Sequence, residues 1–101
     1  MTLASGIELP ADQIADVCRR YGVRELSVFG SAARGGLRPE SDVDILVEFI
    51  PGASIGIVKF ASLIDELTAL IGRSVDLVTK PGLKPWVRPE VLKEAQLVYG
   101  A

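Results

Sequence analysis

The fold is decided by residues 28–49, which read VFGSAARGGLRPESDVDILVEF. A hydrophobic run ends at Gly30-Ser31, and ten residues later Asp42-Val43-Asp44 opens a second hydrophobic run. Successive side chains of a strand alternate between its faces, so the two acids point to the same side of the sheet. Two carboxylates ~6 Å apart repel by ~3 kcal/mol at an effective dielectric near 20. This pair therefore predicts a cation between them, and a divalent metal that carries a phosphate fits best.

Gly30 and Ser31 have the chemistry of a phosphate-binding turn. Glycine lets the backbone turn sharply and approach a ligand closely, where a Cβ would obstruct it. Ser31 is a favoured N-cap type and opens a short helical turn whose free N–H groups can hold an anion. Arg34 follows at the end of that turn and supplies a positive charge. We expect a phosphate at this position.

A third acid, Asp76, lies within the short apolar run Val75–Val78. A charge in the middle of a strand is unfavourable unless it is paired or solvated, although an edge strand also uses such a charge against aggregation. If its strand lies beside that of Asp44, the three acids form one cluster. Two metal ions ~3.5–4 Å apart could then flank one phosphorus atom. Such a site suits phosphoryl or nucleotidyl transfer, in which positioning and charge neutralisation do most of the catalysis. We assign Asp76 as the group that helps to deprotonate the hydroxyl that accepts the transferred group.

Hydrophobic periodicity predicts an α+β fold in a single domain, residues 1–101. The expected elements are a helix at 11–21, a strand at 26–29, a short helix at 31–34, a strand at 42–49, a helix at 57–71, a strand at 75–78, a short helix at 89–94 and a strand at 96–99. The 57–71 helix has an apolar stripe made of Ile57, Phe60, Ile64, Leu67 and Ile71, with Gly72 as its stop. We expect a short mixed sheet with helices packed mainly on one face; the strand order is not readable.

Composition excludes several classes of protein. The net charge is −2, so the chain lacks the positive field of a nonspecific nucleic-acid binder, and we do not expect nucleic acid as a partner. There is one cysteine and no histidine, which excludes a disulfide framework and a Cys/His zinc site. No apolar run is long enough to span a membrane, and we expect a cytoplasmic protein. Trp86 is expected to anchor the core, the alternative being stacking on a base or a partner.

The motifs resemble those of a known family. Residues 28–35 (VFGSAARG) and 41–47 (SDVDILV), with 70–78 and 97–99 as weaker matches, are similar to the minimal nucleotidyltransferases of the DNA polymerase beta-like superfamily. The resemblance implies the nucleotidyltransferase fold, ATP or another NTP bound with Mg²⁺, and transfer of a nucleoside monophosphate to a hydroxyl. We expect ATP as the substrate, with two Mg²⁺ ions at the acid cluster. It implies that Asp42, Asp44 and Asp76 are the catalytic and metal-binding acids. By motif position it also implies that Gly30 and Ser31 hold the triphosphate, and we expect Arg34 and Ser41 to bind the nucleotide with them.

Members of this family are commonly the antitoxins of HEPN-domain toxins, and some adenylylate a tyrosine of the toxin. The resemblance therefore implies an enzyme that moves AMP from ATP to a hydroxyl of a HEPN-type partner. The oligomeric state is not readable from the sequence, and both a homodimer and a hetero-oligomer stay open. Two alternatives stay open from the sequence. One is a non-catalytic antitoxin that masks the toxin by binding, which the 49% hydrophobic content favours. The other is a nucleotidyltransferase that acts on a small, aminoglycoside-like acceptor.

Overall fold

The computed structural model describes residues 1–35, 38 and 41–100, which include every predicted site residue. The elements in chain order are α1 (Ala11–Tyr21), β1 (Val23–Phe29), α2 (Ser31–Arg34), β2 (Val43–Phe49), α3 (Ile57–Ile71), β3 (Val75–Thr79), a 3₁₀ turn (Lys80–Gly82), α4 (Arg88–Glu94) and β4 (Gln96–Gly100). In this part of the chain, no helix has both the length and the apolar character that a membrane crossing requires.

The four strands form one mixed sheet in the order β3-β2-β1-β4. The β1 strand runs antiparallel to both β2 and β4. The β2 and β3 strands are parallel neighbours, and α3 connects them over one face of the sheet. This arrangement confirms the expected α+β class and the mixed sheet. The register pairs Phe29 with Asp44 and pairs Asp44 with Asp76, which fixes the surroundings of the predicted site.

The two faces of the sheet are covered differently. One face carries the main core, in which α1 and α3 cover apolar residues of β1, β2 and β3. Its fully buried members include Ile14, Val28, Ile45, Leu63 and Leu67. The opposite face carries a smaller cluster of Leu46 with Leu83 and Val91, so α4 and the segment before it cover that side. The two long helices therefore share one face, as predicted, and α4 lies on the other.

Several details of the sequence prediction are wrong. The first strand begins at Val23 and not at residue 26, and β2 begins at Val43, immediately after Asp42. The α3 side chains that are fully buried are Leu63 and Leu67, whereas Ile57 is 89% exposed and lies outside the buried stripe. Ile57 is the first residue of α3, and the next residue, Val58, is also exposed, at 80%. Trp86 is 74% exposed, so it does not anchor the core.

Two side chains of α3, one buried and one exposed, offer a matched test of this core. We expect Leu67→Ala to lower the free energy of unfolding by about 2–5 kcal/mol, because it removes fully buried methyl groups and leaves a cavity. Ile57→Ala changes a side chain of the same size on the same helix but in solvent, and its effect should stay within about 0.5 kcal/mol. Urea unfolding followed by circular dichroism measures both. Equal losses in the two variants would contradict the burial described above.

Candidate active site

The Gly30 turn lies directly against the carboxylate of Asp44. Gly30 follows the end of β1 and has φ 70° and ψ −152°, a conformation that essentially only glycine adopts. A Cβ built on Gly30 would collide with Oδ2 of Asp44. The antiparallel pairing of Phe29 with Asp44 produces this approach, because the turn begins one residue after the paired position. Glycine is therefore required here both by the backbone conformation and by the space.

Asp44 is an acid of the site whose pKa is shifted. Its pKa is raised, first because its partial burial disfavours the charged form, and then because the negative charges of Asp76 and Asp42 lie nearby. Arg34 opposes these effects and lowers the pKa of Asp44, but it does not outweigh them. A carboxylate in this setting is stabilised by a cation placed next to it.

The structure brings Asp76 beside Asp44 through the parallel register of β2 and β3. Residues that pair in register on neighbouring strands project from the same face, so both carboxylates belong to the α4 side of the sheet. Asp42 comes just before β2, and both Asp42 and Asp76 are exposed. Among the described residues, no three His, Cys, Asp or Glu side chains are close enough together to coordinate an ion without movement. The acids are neighbours, and Asp44 is the central one.

Three of the predicted nucleotide-binding residues, Gly30, Ser31 and Arg34, lie in one turn, and the fourth, Ser41, directly precedes Asp42. Ser31 begins α2, and Gly30 O accepts hydrogen bonds from the N–H groups of Ala33 and Arg34, which close the turn. Arg34 is exposed, and its charge reaches Asp44. The Ser41 carbonyl accepts a 3.3 Å hydrogen bond from Nη2 of Arg73, which fixes the backbone just before Asp42. The site therefore combines a tight turn, one arginine and acids from two strands.

Residues 11–98 match the family model described as "Nucleotidyltransferase domain". The chain belongs to this nucleotidyltransferase family. The match covers most of the chain, and it confirms the family that was recognised from residues 28–35 and 41–47. It also confirms the expected nucleotidyltransferase fold and the expected enzyme class.

Named relatives place the chain more closely within the nucleotidyltransferases. The chain is 48% identical over 79 residues to the protein adenylyltransferase MntA of Thermococcus cleftensis, with 78% of each chain covered. A solved structure described as a minimal nucleotidyltransferase is 40% identical and superposes with a TM-score of 0.72 over 85% of this chain and 86% of that one. A second structure, a toxin–antitoxin with AMP-PNP, gives a TM-score of 0.72 at 21% identity over 92% and 75% of the two chains, which bears on the fold alone.

Two further residues make hydrogen bonds to residues of the candidate site and were not predicted from the sequence. Glu94, the last residue of α4, accepts hydrogen bonds from the Gly30 N–H and from Arg34. Arg73, from the loop before β3, donates to the carbonyl oxygens of Arg38 and Ser41. Both contacts join distant parts of the chain. The sequence around Glu94 is typical of a helix end and that around Arg73 of a turn, so no local pattern predicted a role for either residue.

Replacing Gly30 tests the close approach to Asp44. We expect Gly30→Ala to weaken the binding of Mg·ATP at least about tenfold, because the added Cβ must displace either the turn or the Asp44 carboxylate. Gly6→Ala is the matched control, since Gly6 also has a positive φ of 89° but no atom within 4 Å of the position of its Cβ. Isothermal titration calorimetry measures the affinities. Full binding by the Gly30→Ala variant would exclude this turn from the nucleotide site.

Proposed function

We propose that this chain transfers AMP from ATP to a hydroxyl group of a partner protein, and that the partner is a HEPN-type toxin which the transfer neutralises. Family membership supports the nucleotidyl transfer. The 48% identity to a protein adenylyltransferase supports AMP as the transferred group and a protein as the acceptor. The resemblance of residues 28–35 and 41–47 to minimal nucleotidyltransferases supports the toxin as partner.

One observation carries the proposal: the glycine turn and the raised-pKa carboxylate are in contact. Gly30 has no side chain, so a phosphate oxygen can reach the backbone of the turn and remain close to Asp44. A phosphate and a carboxylate repel each other, and Arg34 alone does not relieve the charge on Asp44. This arrangement suits a triphosphate that arrives with a divalent cation.

The donor set fits Mg²⁺, which prefers hard carboxylate oxygens together with phosphate oxygens. Asp42, Asp44 and Asp76 would hold it. Burial, and then the charges of Asp76 and Asp42, raise the pKa of Asp44, and a cation among the three acids offsets these effects. When bound, Mg²⁺ neutralises phosphate charge and stabilises the negative charge that develops in phosphoryl transfer. The exposure of Asp42 and Asp76 leaves these side chains free to rotate towards a ligand.

The site residues have two roles in the reaction, binding of the triphosphate and removal of the proton from the acceptor. Gly30, Ser31, Arg34 and Ser41 hold the triphosphate in line with the acceptor. The acceptor hydroxyl oxygen then forms a bond to the α-phosphorus of ATP while the bond from that phosphorus to the bridging oxygen breaks, and pyrophosphate leaves. Asp76 takes the proton from the hydroxyl, for which its exposed position next to Asp44 is suited. The product is a phosphodiester that links AMP to the partner.

Substitution of the acids tests the chemistry. We expect Asp44→Asn to lower AMP transfer by at least about 10²-fold, the scale seen when an electrostatic group is removed from an active site. Asp12→Asn makes the same change on α1, which packs on the opposite face of the sheet, and should leave transfer intact. The purified HEPN-type partner is incubated with ATP, Mg²⁺ and each variant, and its intact mass is measured. The absence of an added AMP mass with the unmodified protein would reject the proposal.

A second function, masking of the toxin by binding alone, is favoured by the exposed apolar side chains Ile57, Val58 and Trp86. The same acid variant separates the two functions in cells that produce the toxin. Transfer predicts growth arrest with Asp44→Asn, because the toxin stays unmodified. Masking predicts normal growth with that variant, since its apolar surface is unchanged. Modification of a small aminoglycoside-like acceptor in the absence of any partner would instead support the third possibility.

A further inference from the structure

The carboxylate of Glu94 is bound by two donors of the Gly30 turn, the Gly30 N–H and the Arg34 guanidinium. Its Oε1 accepts a hydrogen bond from the Gly30 N–H at 3.1 Å, and its Oε2 accepts one from Nη1 of Arg34 at 2.8 Å. The Glu94 side chain is only 23% exposed, so its carboxylate lies against the turn and not out in solvent. An internal carboxylate therefore holds the same donors that the proposed function assigns to a phosphate.

Glu94 is charged at neutral pH. The hydrogen bond from Arg34 lowers its pKa, partial burial raises it, and the Gly30 N–H adds to the lowering, with a net decrease. Its negative charge also contributes to the raised pKa of Asp44. Glu94 thus resembles a phosphate in charge, in the oxygen atoms it presents and in the groups that bind it.

We propose that Glu94 is an internal anion that occupies the phosphate-binding donors of the Gly30 turn and competes with the nucleotide for them. The inference rests on the proposed function, since it concerns the same site. When the triphosphate binds, the Gly30 N–H and the Arg34 guanidinium exchange a carboxylate for phosphate oxygens, and no covalent bond changes. Glu94 therefore lowers the affinity for nucleotide and keeps the two donors paired while the site is free.

The fold allows Glu94 to leave without unfolding. Both contacts are made by the terminal carboxylate, so rotation about side-chain bonds is enough to break them. The helix that carries Glu94 is held separately, because Val91 of α4 is 4% exposed and packs with Leu46 and Leu83 on the sheet. Displacement of the side chain therefore leaves α4 in place.

A comparison of two glutamate variants tests the inference. Glu94→Gln keeps the shape of the side chain and removes its charge, and Glu90→Gln makes the same change at an exposed position of the same helix. We expect Glu94→Gln to bind Mg·ATP about threefold to tenfold more tightly than the unmodified protein, from the loss of an ion pair and of a like charge. Glu90→Gln should bind as the unmodified protein does. Isothermal titration calorimetry measures all three affinities.

Inorganic tripolyphosphate, with Mg²⁺, is the second probe, because it offers the phosphates without the base or the sugar. Competition for the phosphate donors predicts the same gain with tripolyphosphate as with ATP. Weaker or unchanged binding of either probe by Glu94→Gln overturns the inference and leaves Glu94 as a support of the turn. An equal gain in Glu90→Gln also overturns it, since the effect would then come from overall charge.

These outcomes are distinct from a failure of the proposed function. If the unmodified protein binds Mg·ATP and Glu94→Gln gains nothing, only the role of Glu94 is rejected. If no variant binds either probe, the nucleotide site is rejected, and the role of Glu94 is rejected with it. Thermal unfolding of each variant, measured alongside, shows whether a change in affinity comes from loss of the fold.

Discussion

The candidate site depends on the approach of the Gly30 backbone to the Asp44 carboxylate, and that approach depends on the register of β1 against β2. Val28 pairs with Ile45, and both are fully buried on the face covered by α1 and α3. A slip of one residue would turn these side chains out of the core, so the hydrophobic effect fixes the register. Phe29 and Asp44 come next in the pairing, and the chain then turns at Gly30. The apolar core thereby determines the distance between the turn and the acid.

The same core accounts for the collection of like charges on the other face. Val43, Ile45 and Leu77 are buried, and they hold β2 and β3 in parallel register. Asp44 and Asp76 occupy paired positions between them, so they are brought together although they repel each other. The free energy needed for this arrangement comes from apolar burial elsewhere in the fold. Arg34 forms an ion pair with Glu94, and its positive charge also acts on Asp44. These two interactions link α2 with β2 and with the end of α4.

Local sequence patterns were enough to predict the secondary-structure elements and the central motifs of the site. Periodicity, together with the N-cap type of Ser31, predicted the types of α1–α4 and β1–β4, whereas the 3₁₀ turn at Lys80–Gly82 was not predicted. The Gly30 and Asp44 motifs lie in one short stretch. The pairing of Asp44 with Asp76 needed the strand order, which no local pattern encodes. Glu94 lies 64 residues from Gly30 along the chain, so its contact with the turn could not be inferred from spacing. Trp86 was misjudged because apolar character does not reveal whether a loop faces the core or solvent.

The dependence of ATP binding on Mg²⁺ tests the central claim most directly, since the carboxylate beside the turn repels a bare triphosphate. Calorimetric titration of the unmodified protein with ATP is carried out once with Mg²⁺ in excess and once with EDTA in excess. The account predicts binding with Mg²⁺ and an affinity at least about tenfold weaker without it. Equal affinities under the two conditions would contradict it, because a nucleotide that ignores the cation cannot lie next to Asp44.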